Sequence, residues 1–213
     1  MRLRLTFSKF GTLRYIGHLD LHNLWERIVR RAGLPLSYTQ GFHPGPRIQL
    51  ASALPLGFIG SAEIVDLWIN DSADSLDRPY KEMLQSAAPP GLVISSVEIV
   101  DERGPALQTK VVSAEYEITL LESGSSSGLA SSVSNLLAAA SLPRVRRDKT
   151  YDLRPLVESL GYYPGVGSRF PCLHMRLAAR EGATGRPEEV LDALGVPIET
   201  TRIERTRLIL QNT

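Results

Sequence analysis

The first half of the chain alternates between strand-like and helix-like hydrophobic patterns. Residues 2–7 alternate polar and apolar side chains, as in a half-buried strand, and residues 13–16 are expected to return or extend it. Residues 18–32 carry five apolar side chains at the spacing of one helix face, and Gly33 and Pro35 then signal its end. The same criteria predict strands at residues 34–40, 47–54, 61–69 and 92–100, and a second helix at residues 76–88.

The same order of elements recurs after a joint at residues 101–108, which is rich in turn-forming residues. Alternation predicts a strand at residues 114–121, and a run of small residues predicts a helix at 129–140. The patterns further predict an extended basic stretch at 142–147, a strand at 172–179, a helix opened by Arg186-Pro187 and a strand at 202–210, and they do not decide residues 150–163. We therefore predict an α+β protein of two ferredoxin-like (βαββαβ) halves, residues 1–105 and 106–213, each with an antiparallel sheet packed by helices.

Composition and charge narrow the class of protein. The 213 residues are 43% hydrophobic and 22% charged, which is typical of a globular chain, and 24 basic residues nearly balance 23 acidic ones. A uniformly basic nucleic-acid binder is therefore excluded. The charge is nevertheless uneven: residues 1–49 hold eight basic and two acidic side chains, a net +6, whereas residues 50–105 hold three and nine, a net −6. The basic first quarter remains available to a polyanion.

Cys172 is the only cysteine, which excludes an internal disulfide and any zinc or iron–sulfur site built from several thiolates of this chain. No apolar run approaches the roughly 20 residues of a membrane span, and the first residues alternate instead of forming a signal peptide. We expect a cytoplasmic protein that has no cofactor of its own and no contact with a membrane.

The first chemically distinctive segment spans residues 14–22 and leads into a helix whose polar side carries arginines. His18 and His22 share a helix face, but Asp20 lies roughly 200° from His18 and no third ligand is evident, so a metal site is not expected. The alternative to a binding role is that this segment only begins the helix, with His18 and His22 half-exposed beside solvated arginines. The candidate ligand-binding residues of this segment are Arg14, His18, Asp20, Arg27, Arg30 and Arg31.

The second distinctive segment, residues 37–47, combines prolines and glycines with an aromatic, a histidine and an arginine. Such backbone-restricting residues favour a binding loop over a plain turn. Its aromatic side chains can stack on a base, and its basic ones can hold a phosphate or a base edge. The alternative is that Phe42 caps the core and the prolines only steer the chain. The candidates here are Tyr38, Gln40, Gly41, Phe42, His43, Pro44 and Arg47, and a later basic stretch adds Arg144, Arg146, Arg147 and Arg154.

These segments also carry a family resemblance. The matching stretches read Arg14-Tyr15-Ile16-Gly17-His18-Leu19-Asp20-Leu21, Tyr38-Thr39-Gln40-Gly41-Phe42-His43-Pro44 and Ala53-Leu54-Pro55-Leu56-Gly57, with a weaker match at Tyr151-Asp152-Leu153-Arg154-Pro155. The chain resembles the bacterial radical-SAM-linked domain family of unknown function, which is encoded beside or fused to a radical SAM protein that often carries a cobalamin-binding region. The resemblance implies a radical SAM partner and no assigned activity. Gly17 departs from the serine expected in the family, which removes a hydroxyl that could cap the helix or touch a ligand.

Three functional hypotheses follow. A radical SAM enzyme needs three cysteines for its cluster, so this chain is not that enzyme; the first hypothesis is an RNA-binding or substrate-presenting accessory protein that acts with one in tRNA or rRNA modification. The second is an RNA-processing enzyme, endonuclease-like or pseudouridine-synthase-like, that uses His43 and His18 as general acid and base. The third is an interaction module that docks a radical SAM partner through its acidic segment and sheet edges without nucleic acid.

Overall fold

The computed structural model describes residues 1–70, 77–122, 128–146, 148–165 and 170–211. The chain divides into two compact units, unit 1 (Met1–Val111) and unit 2 (Val112–Thr213). The division falls shortly after the boundary expected between residues 105 and 106. Each unit contains a mostly antiparallel sheet packed by helices, so the predicted mixed α+β class is confirmed.

The strands of unit 1 are β1 (Arg2–Lys9), β2 (Ile48–Leu50), β3 (Ile59–Trp68) and β4 (Leu92–Val100), and its helices are α1 (His18–Arg31), α2 (Tyr80–Ala87) and the single turn α3 (Leu107–Lys110). The four strands are hydrogen-bonded in the order β2-β3-β1-β4, with every neighbouring pair antiparallel. The register runs from Arg2↔Trp68 to Lys9↔Gly60 between β1 and β3, with one irregularity after Phe7.

The core of unit 1 lies between its sheet and its two longer helices. The apolar side chains Leu3, Leu5 and Phe7 of β1 are fully buried, and the ring of Phe7 meets Trp25 of α1 edge to face at 4.9 Å. Each such large apolar side chain contributes on the order of 1.5–3 kcal/mol on burial. The helix ends where Gly33 takes a left-handed φ of +69° and the amide of Leu34 donates to the carbonyl of Val29, as in a Schellman-type stop.

Two predicted strands of unit 1 are wrong. Residues 13–16 lie mostly in a 3-10 turn, Gly11–Tyr15, because Gly11 turns the chain with a φ of +60° and its neighbour Phe10 bonds to Gly91. Residues 34–40 form only isolated bridges, such as Leu36↔Ile69, because the chain leaves the sheet edge to build a loop. The other predicted strands and helices of unit 1 are present; the strand at residues 92–100 has the predicted ends, and the others have shifted ends.

A buried ion cluster ties the first strand of unit 1 to the third. Asp66 is fully buried and accepts hydrogen bonds from Arg2 (Nε, 2.8 Å, and Nη2) and from Arg4 (Nε and Nη2, each 2.8 Å). This carboxylate and a smaller Coulombic contribution from Glu98 raise the pKa of Arg4, against the opposing effect of burial. Arg2 also donates to the carbonyls of Gly104 (3.0 Å) and Pro105 (3.0 Å), which fixes the segment after β4.

The elements of unit 2 are β5 (Val111–Leu120), α4 (Leu129–Ala138), β6 (Pro143–Arg146), β7 (Lys149–Asp152), β8 (Val157–Tyr163), β9 (Cys172–Arg180), β10 (Ala183–Thr184), α5 (Pro187–Leu194) and β11 (Thr201–Leu210). Its strands are hydrogen-bonded in the order β10-β9-β5-β11, with β8 pairing with β9, and β6 and β7 form a separate two-stranded hairpin. The segment 150–163 that the sequence pattern leaves undecided therefore divides between hairpin, 3-10 turn and sheet. No helix within the described ranges is long and apolar enough to cross a bilayer.

Candidate functional site

The exposed side of α1 carries the predicted polar residues of the first segment. His18 begins the helix after Gly17, and Asp20 lies in the first turn, where a carboxylate suits the positive end of the helix dipole. Further along, Arg27, Arg30 and Arg31 are all exposed. The buried face of the same helix is apolar, so these arginines project away from the core.

The second segment forms a loop whose base is pinned and whose tip is open. An isolated bridge joins Tyr38 to Pro46, and the amide of Thr39 donates to the carbonyl of Gly45 at 2.8 Å. Between these pairs every residue of the tip is exposed, and the side chain of Phe42 is exposed to 103% of its reference value. The alternative that Phe42 caps the core is therefore wrong. The exposed predicted residues of the tip are Gln40, Gly41, Phe42, His43 and Pro44.

One polar contact joins the loop to the helix. The hydroxyl of Tyr38 donates to Oε1 of Glu26 at 3.3 Å, and the same oxygen lies 3.7 Å from Nη1 of Arg30. The base of the loop is thus anchored on the arginine-bearing side of α1. We call the set of Arg27, Arg30, Arg31, Tyr38, Phe42 and His43 the loop–helix surface.

Two predicted arginines of unit 1 have other contacts. Arg14 lies in the 3-10 turn, where its guanidinium stacks on the ring of Tyr15 at 4.7 Å and donates to its hydroxyl. Arg47 follows the pinned base of the loop, and its guanidinium lies 4.8 Å from the ring centre of Trp68. Arg47 also lines a cavity beside Trp68, and the structure shows no contact between Arg47 and Phe42.

The basic stretch of unit 2 is partly neutralised within its own unit. Nη1 of Arg144 lies 3.6 Å from Asp192 on α5, while Arg146 is half-buried at the end of β6. Burial raises the pKa of Tyr151 on the paired strand, with a further contribution from Glu189 of α5 that Arg146 and Arg144 oppose. Arg147 lies outside the described residues.

Arg154 serves the packing of unit 2. Its guanidinium donates to the carbonyl of Leu137 near the end of α4 (3.2 and 3.0 Å) and to that of Val157 (2.9 Å). Asp152 accepts the amides of Leu142 (2.7 Å) and Arg154 (3.0 Å), and these two backbone donors lower its pKa. The guanidinium of Arg154 thus makes three hydrogen bonds within unit 2. These contacts explain the residue by a structural role, whereas the sequence analysis predicts that it binds a ligand.

Sequence reasoning missed two groups of residues. In unit 1, Gln49, Trp68 and Arg103 line the cavity next to Arg47, and they come from separate parts of the chain without a shared motif. In unit 2, His174 lies 3.4 Å from Glu117 on the open sheet face and packs against the ring of Tyr163 at 4.6 Å. Within the described ranges, no three or more histidine, cysteine, aspartate or glutamate side chains are grouped to hold a metal ion.

Residues 2–187 match the family described as "Uncharacterized protein conserved in bacteria (DUF2344)". The chain belongs to the DUF2344 family. That description names no reaction, ligand or partner. No curated protein matches this DUF2344 chain.

Among solved structures, the chain is similar to one in the crystal structure of the archaeal box H/ACA sRNP Nop10-Cbf5 complex, with 10% sequence identity and a TM-score of 0.46. The match covers 99% of this chain and 49% of that one, so the chain spans about half the length of its structural neighbour.

Proposed function

We propose that this DUF2344 protein is an RNA-binding accessory protein without catalytic activity of its own, which presents RNA to a radical SAM enzyme. The loop–helix surface of unit 1 contacts unpaired nucleotides. The observation that carries the proposal is the fully exposed ring of Phe42 on a loop anchored to the arginine-bearing side of α1. The substrate class is tRNA or rRNA, in which unpaired loops are available.

An exposed phenylalanine beside arginines matches the chemistry of unpaired RNA. Stacking of a base on an aromatic ring is worth about 1–3 kcal/mol and tolerates any base, since every base has a π face. Guanidinium groups add phosphate contacts, each of which releases condensed counterions. Three phosphate contacts from Arg27, Arg30 and Arg31 give a slope of about −2 for log affinity against log salt concentration.

The radical SAM partner is supported by the family resemblance. A chain with one cysteine does not supply the three thiolates of a radical SAM cluster, so the proposal places the radical chemistry outside these residues. An accessory protein then contributes substrate binding and orientation, while the cofactors of the partner carry the reaction.

We also assign both units to the ferredoxin-like arrangement. In unit 1 the strand order β2-β3-β1-β4, with α1 after β1 and α2 before β4, follows the split β-α-β pattern. In unit 2 the order β8-β9-β5-β11 repeats it, with α4 after β5 and α5 before β11. The small hairpin of β6 and β7 is then an insertion between α4 and β8.

Equilibrium binding to a fluorescent single-stranded RNA, followed by anisotropy, tests the RNA part. We expect Phe42→Ala to weaken binding about tenfold, since one stacked base is lost. Phe170→Ala is the matched control, because Phe170 is a 53% exposed phenylalanine of unit 2. Absence of RNA affinity at low salt, or equal losses in both variants, would overturn the proposal.

Charge-reversal variants distinguish direct phosphate contacts of the α1 arginines from a general effect of net charge. Arg30→Glu and Arg31→Glu together should weaken RNA binding and flatten its salt dependence, whereas Arg207→Glu, at an exposed arginine of β11, should leave the slope nearly unchanged. RNA cleavage by the purified protein that is lost in His43→Ala would instead favour the enzyme hypothesis.

Affinity purification from a bacterial host, with and without nuclease, tests the partner. We expect a radical SAM protein to be recovered with the tagged chain. Recovery that resists nuclease, in a protein without RNA affinity, would favour the interaction module over the RNA-presenting protein.

A further inference from the structure

A second site lies in unit 1, in the cavity beside Trp68. The described residues leave a space of about 550 Å³, within the range of small-molecule pockets. Its walls come from β2, the end of β3 and the segment that follows β4. The side chains that matter for binding are those of Arg47, Gln49, Trp68, Glu102 and Arg103.

Hydrogen bonds and a stacking contact with neighbouring residues hold the walls of this cavity in place. Arg2 donates to the carbonyls of Gly104 and Pro105, and its guanidinium carbon lies 4.6 Å from the ring centre of Trp68. The indole nitrogen of Trp68 donates to the carbonyl of Glu102 at 3.4 Å. A Cβ on Gly104 would lie 3.3 Å from the backbone oxygen of Asp101, a tight contact that favours a glycine in this wall. The cavity is therefore preformed, which lowers the entropic cost of binding a ligand.

The donors that face the cavity outnumber the acceptors. Arg47 stacks on Trp68, and within the described ranges no carboxylate pairs with its guanidinium. Arg103 is exposed and its backbone amide donates to Asp101, while its guanidinium has no partner among the described residues and is available to a ligand. Gln49 accepts the amide of Leu107 through Oε1 at 3.0 Å, which orients its side-chain nitrogen as a further donor. Among the described residues that line the cavity, Glu102 is the one carboxylate against two arginines, so this lining is net positive.

We infer that this cavity binds a small phosphate-bearing molecule of nucleotide size, with the phosphate held between the guanidiniums of Arg47 and Arg103. Planar guanidinium forks match the oxygens of a phosphate, and charge-assisted bonds of this kind are the strong ones. The remaining volume accommodates the rest of the ligand against Gln49 and the edge of Trp68. This inference does not depend on RNA binding by the loop–helix surface.

Intrinsic tryptophan fluorescence reports on the site, because Trp68 lies in its wall and the other tryptophan, Trp25, is fully buried in the core. Titrations of the full chain use inorganic phosphate, AMP, adenosine and succinate. We expect a saturable change with AMP, a weaker one with phosphate and none with adenosine. Binding of adenosine equal to that of AMP, binding of succinate alone, or no saturation with any probe would overturn the inference.

Single substitutions test whether the fluorescence change with AMP depends on Arg47 and Arg103. Arg103→Gln, at an exposed position, and Arg47→Gln should each weaken AMP binding about tenfold, the loss of one charge-assisted contact. Arg207→Gln, at an exposed arginine of β11 outside both proposed sites, is the charge-matched control and should change AMP binding less than twofold.

The two proposed sites are distinguished by measuring how each variant binds the ligand of the other site. Phe42→Ala should bind AMP like the wild type, and Arg103→Gln should bind single-stranded RNA like the wild type. If Arg103→Gln retains full AMP affinity while its thermal unfolding is unchanged, the phosphate site is not here, whatever the result with RNA.

Discussion

Replacing Asp66 with alanine tests the buried ion cluster that joins the first and third strands of unit 1. The Asp66 carboxylate is fully buried and accepts four hydrogen bonds from two arginines. Arg2 is 2% exposed, so its guanidinium cannot turn to water without moving the sheet, whereas the side chain of Arg4 is 15% exposed and also interacts with Glu98. Removal of the carboxylate therefore leaves the buried charge of Arg2 without its carboxylate partner.

The structure bounds the expected loss of stability. Breaking a buried ion pair by removing one partner typically costs about 3–5 kcal/mol. Arg2 keeps its bonds to the carbonyls of Gly104 and Pro105, which partly compensate its charge, so we expect Asp66→Ala to cost about 3 kcal/mol. That is a large share of the roughly 5–15 kcal/mol that stabilises a domain.

Urea unfolding at pH 7, followed by circular dichroism, measures this change. Asp192→Ala is the control, because Asp192 is 75% exposed and lies 3.6 Å from its partner Arg144; it should cost about 0–1 kcal/mol. A loss below about 1 kcal/mol for Asp66→Ala, or equal losses for both variants, would refute the reasoning.

Three further predictions concern single side chains. Backbone donors lower the pKa of Asp152 below its ordinary 3.8, so its stabilising contribution is present above that pH and is lost as pH falls through the lowered value. Asp152→Asn should be less stable at pH 7 and should lose less on acidification in urea unfolding; an unchanged acid profile would contradict this. Burial, and then the charge of Glu117, raise the pKa of the Cys172 thiol, so Glu117→Gln should speed its alkylation by iodoacetamide at neutral pH, and an equal or slower rate would contradict it. Gly91 has a φ of +91° and a Cβ there would lie 2.7 Å from a backbone oxygen, so Gly91→Ala should lower the melting temperature more than Gly57→Ala, where φ is +86° and the space is open. Equal decreases in melting temperature for the two glycine variants would contradict a steric contribution from the backbone oxygen near Gly91.

Local patterns predict most elements of this fold. The apolar positions of α1 recur at helical spacing, and the strand at Leu92–Val100 has the predicted ends. The errors occur where long-range contacts decide the backbone. Residues 13–16 follow the strand period, but the turn at Gly11 and the bond from Phe10 to Gly91 fold them into a 3-10 turn.

The side-chain contacts of the candidate site are harder to predict from the sequence than the secondary structure is. The proline and glycine content of residues 37–47 predicts a loop, and the exposure of Phe42 agrees with a binding loop. The same segment does not reveal that Arg47 stacks on Trp68, a partner 21 positions away along the chain that only the pairing of β2 with β3 brings near. The contacts of Arg154 with backbone carbonyls are likewise set by how α4 and the hairpin pack.

Photo-crosslinking of the full chain to a single-stranded RNA, with the crosslinked peptides identified by mass spectrometry, tests the proposed RNA surface most directly. Direct contact of the loop–helix surface with unpaired nucleotides predicts crosslinks on the peptide that contains Tyr38, Phe42 and His43, and their loss in Phe42→Ala. Crosslinks confined to unit 2, or an unchanged yield in that variant, would contradict it.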